Sequence, residues 1–192
     1  MKPQAVVPSY EEAVRFHGHS CPGLAIGYRM TVAALSALRV VKAGDEELVA
    51  IVENDACGVD AVQAVAGCSF GKGNLLFRDY GKHVYTFFSR ETGHGVRVVG
   101  HRRGMPEGLG DDREARIRWI LEAPQDEVVS CREVEVDEPE RARVAHSVAC
   151  DECGELVMET RLIEVGGRRL CVPCAEQWAD TAHATGDTYI AP

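Results

Sequence analysis

Two imidazoles and a thiol occupy alternate positions in Phe16-His17-Gly18-His19-Ser20-Cys21-Pro22-Gly23, directly ahead of a helix-like segment. In an extended chain alternate side chains leave the same face, so His17, His19 and Cys21 are expected to project together. Such a triplet could hold a soft metal or activate a thiol. A second thiol, Cys57, lies in the turn Asn54-Asp55-Ala56-Cys57-Gly58 between a strand-like and a helix-like segment. Ligands gather at the carboxyl ends of strands in open α/β sheets, which would bring Cys57 to the crevice of Cys21. The expected core metal site is led by Cys57 and His19, with Cys21 and His17 next. Three protein ligands leave a fourth position for water or substrate, the form of catalytic zinc, and mixed N and S donors suit zinc better than magnesium or calcium. Asp55 and Asp60 flank Cys57 and could orient an imidazole or act as a base, with a helix cap as the alternative. A lone buried Cys usually packs as a small hydrophobe, so the expectation rests on four donors from two segments.

Four other cysteines form a tighter pattern. Cys150-x2-Cys153, seventeen residues, then Cys171-x2-Cys174 falls within the spacing of paired zinc knuckles. Four thiolates close a tetrahedral structural zinc shell, and a redox dithiol pair or an iron site are the other readings.

Gly67-Cys68-Ser69-Phe70-Gly71-Lys72-Gly73-Asn74 invites a phosphate reading. It lacks the P-loop spacing and precedes a strand rather than a helix, so a loop needing positive φ is the better account. Lys72 is expected at the pocket rim, where it could meet an anionic substrate. Cys68 is a candidate for the same pocket and Cys131 for inert core, while His83, His94, His101, His146 and His183 are scattered without ligand spacing.

The elements that must position these groups follow from caps and periodicity. Ser9 caps a short helix over Tyr10 to Phe16, with Glu11 and Glu12 favoured by the dipole in its first turn. Leu24, Tyr28, Val32, Leu35 and Leu38 mark one face of a helix over Pro22 to Val40, with Pro22 at its first position and Cys21 beside its N-cap. Leu48 to Glu53 reads as a buried strand and Val59 to Ala66 as a helix. Leu75 to Asp79 and Val84 to Ser89 read as a hairpin around Tyr80-Gly81-Lys82, followed by a strand over Val96 to Gly100. A helix over Asp111 to Leu121 and an edge strand over Val128 to Val136 complete an α+β domain of about five strands. The charged stretch from Asp137 to Arg143 reads as a linker or exposed helix. Beyond it come knuckle, strands with the Gly166-Gly167 turn, second knuckle and a helix over Ala175 to Ala184 packing Trp178 inward, a treble-clef order. The expected domains are a core over 1–140 and a finger over 145–192.

Composition sets the outer limits. At 192 residues and 45% hydrophobic residues a core of ordinary size is available. No apolar run approaches the roughly 20 residues that span a bilayer, and Met1 to Tyr10 lacks a secretory pattern, so no membrane partner and a cytoplasmic location are expected. The formal charge of −9 is spread along the chain, which favours solubility and argues against nucleic acid as a partner.

Three stretches in order, Phe16 to Gly23, Asn54 to Gln63 and Gly67 to Leu75, resemble the FmdE family of formylmethanofuran dehydrogenase proteins, and the four-cysteine module resembles the zinc finger that many members append. The resemblance covers nearly the whole chain. It implies a thioredoxin-like α+β core with a mixed five-stranded sheet flanked by helices, an active site carrying the His-Gly-His-x-Cys-Pro-Gly motif, and a treble-clef finger. It also implies association with molybdenum or tungsten formylmethanofuran dehydrogenase of one-carbon metabolism, whose subunits are the expected partners. Some members hold zinc in the N-terminal site.

Three functions follow as expectations. The first is a dehydrogenase-associated metal-binding protein with a His/Cys active site that takes a small-molecule substrate, with structural zinc in the finger and a second zinc in the core. The second is a redox or metal-delivery accessory using Cys21 and Cys57. The third is a non-catalytic interaction module that uses the finger. A homodimer is expected because thioredoxin-like sheets with exposed edges often pair.

Overall fold

The computed structural model describes residues 8–109 and 112–185, with side chains as far as residue 179. The chain divides into two units, Met1–Ala142 and Arg143–Pro192.

In the first unit a reciprocal capping box between Ser9 and Glu12 starts α1, Tyr10–His17. Pro22 opens α2, Pro22–Leu38, and its fixed φ suits that position. Strand β1, Leu48–Val52, is buried throughout. Helix α3, Gly58–Ala61, runs into a π turn over Val62–Ala66. Strands β2, Leu75–Phe77, β3, Val84–Ser89, and β4, Gly95–Gly100, follow. Helix α4, Arg113–Glu122, starts at Asp112, whose side chain accepts from the Ala115 N–H. The one-turn helix α5, Gln125–Val128, leads into β5, Val129–Val134. Residue 111, where the α4 helix was expected to begin, lies outside the described residues.

The five strands form one mixed sheet in the order β2-β1-β3-β4-β5. Only β1 and β2 are parallel, with Ala50 opposite Leu75. The expected hairpin between residues 75–79 and 84–89 does not form, because β1 lies between the two strands and pairs with both. Two hydrogen bonds explain the diversion: Arg78 N–H donates to the Val52 carbonyl and Lys82 N–H to that of Glu53. The turn residues thus follow the end of β1 instead of folding back.

The helices cover one face of this sheet. Leu48, Ala50, Val52, Tyr85, Phe87, Val96, Val98 and Val129 share a core with α1 to α4, as the period of two requires. The C-terminus of α4 is satisfied by Arg29 of α2, whose guanidinium donates to the carbonyls of Ile120, Leu121 and Ala123, a common answer to orphan helix carbonyls. On the opposite face Arg97 of β4 makes a two-armed ion pair with buried Glu53. The stretch after Asp137 is no free linker over its first residues: the buried Arg90 side chain ties down the Glu138 carboxylate and the carbonyls of Pro139 and Glu140.

The second unit holds two short antiparallel pairs, β6 (Ser147–Ala149) with β7 (Leu156–Met158), and β8 (Ile163–Val165) with β9 (Arg168–Leu170). A 3-10 turn, Glu159–Arg161, separates the pairs, and helix α6, Val172–Thr185, follows. Gly166 and Gly167 both take positive φ, as a two-residue turn of this kind demands. Trp178, expected inward, is 40% exposed beside that turn. The His183 side chain lies outside the described residues. Among those residues no helix is long and apolar enough to cross a membrane.

Candidate metal centres

His17 closes α1, and Gly18, with φ of 92°, caps that helix in the left-handed region. The expected extended stretch is therefore broken at Gly18, and the two imidazoles meet across a turn instead of alternating along an extended chain. Cys21 N-caps α2, its sulfur accepting from the Leu24 N–H at 3.3 Å. Cys57 directly precedes α3. What brings it to Cys21 is the close approach of the two helices: a Cβ on Gly27 would overlap the Gly58 backbone, and one on Gly58 would overlap the Tyr85 hydroxyl. Glycine at both positions lets the backbones touch. Gly23 completes the seam, since a Cβ there would stand 3.2 Å from that of Cys57.

One ligand atom each from His17, Cys21 and Cys57 lies within 4.8 Å of the others. The His17 Nε2 is 3.8 Å from the Cys21 sulfur, while Nδ1 is 2.7 Å from an Asp60 carboxylate oxygen. A carboxylate on Nδ1 fixes the tautomer that leaves Nε2 free to ligate, the usual support of a metal-bound imidazole. Partial burial, then the neighbouring Cys21, raise the Cys57 thiol above its ordinary value. A bound cation reverses that sign, because a coordinating thiol loses its proton. Two sulfurs and one nitrogen, with room for a fourth ligand, match the donor chemistry of a Cys2His catalytic zinc site.

The other candidates are placed elsewhere. His19 is exposed, stacks on His17 with ring centroids 4.5 Å apart, and lines a separate cavity beside α4 with Arg113 and Ile117. Asp55 is exposed on the rim of a cavity of about 350 Å³ that also touches His17, Cys57 and Asp60. The Lys72 amine donates to the Ala43 carbonyl at 3.3 Å and does not line that cavity. Cys68 is buried, donates to the Leu48 carbonyl, and is pushed up to about 12 by burial. Cys131, expected in the core, is exposed on β5, where the sheet edge leaves it uncovered. Sequence reasoning missed Phe70 and Phe77, which line the cavity at Cys57. Phe70 lies in a loop, where no periodic signal marks it, and Phe77 ends β2 on the face of buried Leu75, where alternation alone reads it as core.

In the second unit ligand atoms of Cys150, Cys153, Cys171 and Cys174 also lie within 4.8 Å of one another. Backbone N–H groups of Cys171 and Cys153 draw the Cys150 thiol down to about 6, and the Cys171 thiol drives Cys174 up to about 12. Asp151 steadies the first knuckle by accepting from the Arg169 N–H at 2.7 Å. The four-cysteine cluster fits a zinc finger.

Residues 144–177 match the prokaryotic dksA/traR C4-type zinc finger. A probable S-adenosyl-L-methionine-binding protein of Archaeoglobus fulgidus is 33% identical over 85% of this chain, which spans about half (51%) of that relative's length. The crystal structure of a tungsten formylmethanofuran dehydrogenase FmdE-like protein from Syntrophus aciditrophicus is similar with a TM-score of 0.66 at 28% identity, covering 90% of this chain and 96% of that one. Residues 16–130 match the model described as FmdE, molybdenum formylmethanofuran dehydrogenase operon, and the chain belongs to the FmdE family.

Proposed function

We propose that the first unit carries a divalent-metal site with His17, Cys21 and Cys57 as ligands, and that the protein acts on a small molecule in association with formylmethanofuran dehydrogenase. The observation that carries this reading is the three-donor cluster together with the Asp60 carboxylate on His17. A zinc ion held there supplies Lewis-acid polarisation of a carbonyl or formyl group. Asp60 holds the His17 proton on Nδ1, and the 350 Å³ cavity admits substrate to the Cys57 side. Asp55 lines that cavity as a candidate base, and His19 lies against the His17 ring. The second unit holds structural zinc, and its order of knuckle, strand pair, knuckle and helix supports a treble-clef description. The mixed sheet covered by helices supports a thioredoxin-like one for the core. Family membership and the Syntrophus structure support the dehydrogenase association. The Archaeoglobus relative's description supports a small-molecule ligand. A cytoplasmic homodimer is the setting we propose.

A second reading rests on the two thiols in the same cluster: Cys21 and Cys57 act as a redox pair or a metal-delivery site. Elemental analysis separates the two readings. The metal site predicts two zinc per chain, falling to one in a Cys57→Ala, His17→Ala variant and staying at two in His19→Ala. One zinc in the wild type and in both variants overturns it and favours the redox pair.

A further inference from the structure

The cavity at Cys57 has a wall that metal binding alone does not explain. Phe70 is 65% exposed and Phe77 is 43% exposed, and both face the same cavity of about 350 Å³. Phe77 and Leu75 lie on one face of β2, yet Leu75 is 2% exposed. The core that covers Leu75 therefore stops one residue pair short of Phe77. Val52 and Val59 continue the apolar lining. Two phenyl rings left in water beside a set of metal donors are an apolar binding surface with a polar end, the usual make-up of a small-molecule site.

Charge narrows the ligand further. The cavity is lined by the carboxylates of Asp55 and Asp60, and among the described residues no Lys or Arg lines it. Away from the metal end, an anionic body would meet two carboxylates and no Lys or Arg among the described lining residues, which costs binding. Gln63 donates its amide to Asp60 at 3.1 Å, which leaves its carbonyl as an acceptor on the same wall.

Resting on the metal-site reading above, we infer that this cavity takes a small, uncharged or cationic molecule with a flat ring, seated against Phe70 and Phe77, and a metal-binding head at His17, Cys21 and Cys57. The anionic substrate suggested by Lys72 is not the one this wall fits.

The test uses the full-length protein loaded with cobalt, whose visible spectrum reports a change of ligands. The finger's shell is closed by four thiolates, so a difference spectrum on adding a probe reports the core site. The probes are acetohydroxamate, benzohydroxamate and 4-carboxybenzohydroxamate. Benzohydroxamate should bind roughly tenfold tighter than acetohydroxamate, the size of one good aromatic contact. The carboxylated ring should lose most of that gain. In Phe70→Ala and in Phe70→Ala, Phe77→Ala, still loaded with two cobalt per chain, the preference should shrink stepwise. Equal affinity for the first two probes in the wild type, or a preference that survives in the double variant, overturns the inference and leaves the metal site standing. Uptake of a single cobalt per wild-type chain overturns the metal site, and this inference with it.

Discussion

Asp60 decides which nitrogen of His17 faces the thiols. With its carboxylate 2.7 Å from Nδ1, the proton stays on that nitrogen and Nε2 points toward Cys21. An Asn in its place can present an amide N–H to Nδ1, which favours the opposite tautomer and a protonated Nε2. Asp60→Asn should therefore weaken zinc at the core site about 10-fold to 100-fold while the finger keeps its metal. Competition with a chromogenic chelator measures this, and an unchanged core affinity would show that Asp60 does not position the imidazole. Asp60 was legible in the sequence as a flanking carboxylate, but its partner was not. The alternate spacing of His17, His19 and Cys21 reads as one face only if the chain is extended. A helix that runs one residue further, to His17, and a left-handed Gly18 replace that extended chain, and His19 rests against the His17 ring instead of joining the donor cluster.

Between elements, the seam of α2 and α3 sets the distance from Cys21 to Cys57. A Cβ on Gly27 would overlap the Gly58 backbone, which cannot yield as the end of a flexible side chain could. Gly27→Ala should cost about 1–3 kcal/mol by overpacking and lower core metal affinity by separating the two thiols. Gly71 has nothing within 4 Å of an added Cβ, so Gly71→Ala should stay within about 0.5 kcal/mol of wild type. Urea unfolding of the three proteins, with zinc content alongside, checks the pair. Equal midpoints would mean that the seam opens at no cost. The elements themselves were largely readable, because caps at Ser9 and Pro22 and the Leu24 to Leu38 stripe are local signals. Strand pairing was not. Residues 75–77 and 84–89 look like neighbours in sequence, but β1 takes both edges through contacts that no local pattern encodes. The glycines of the seam were equally silent, since close approach is a property of two segments and not of either one.

At the scale of the whole chain, the two units differ in what can hold them together. The first packs α1 to α4 against five strands around a buried apolar core. Among the described residues the second unit's buried cluster is Cys150, Val165, Leu170, Cys171 and Ala175, so Cys150 and Cys171 are both core members and candidate ligands. Below about 70 to 80 residues a single apolar core contributes little net stability and small units commonly rely on a metal or disulfides, and the binding free energy of a structural metal is folding free energy. Removal of metal by a strong chelator should therefore abolish amide protection from Ser147 through Val172 and leave that of β1, β3 and β4 in place. Hydrogen exchange read by mass spectrometry resolves the two regions in one experiment. The core site adds a finer expectation, because its donors sit at helix ends that the apolar packing already fixes: exchange near Cys21 and Cys57 should quicken only locally. If the strands of the first unit lose protection together with the finger, then its metal is a folding element, and packing around Gly27 and Gly58 does not suffice to hold the site in place.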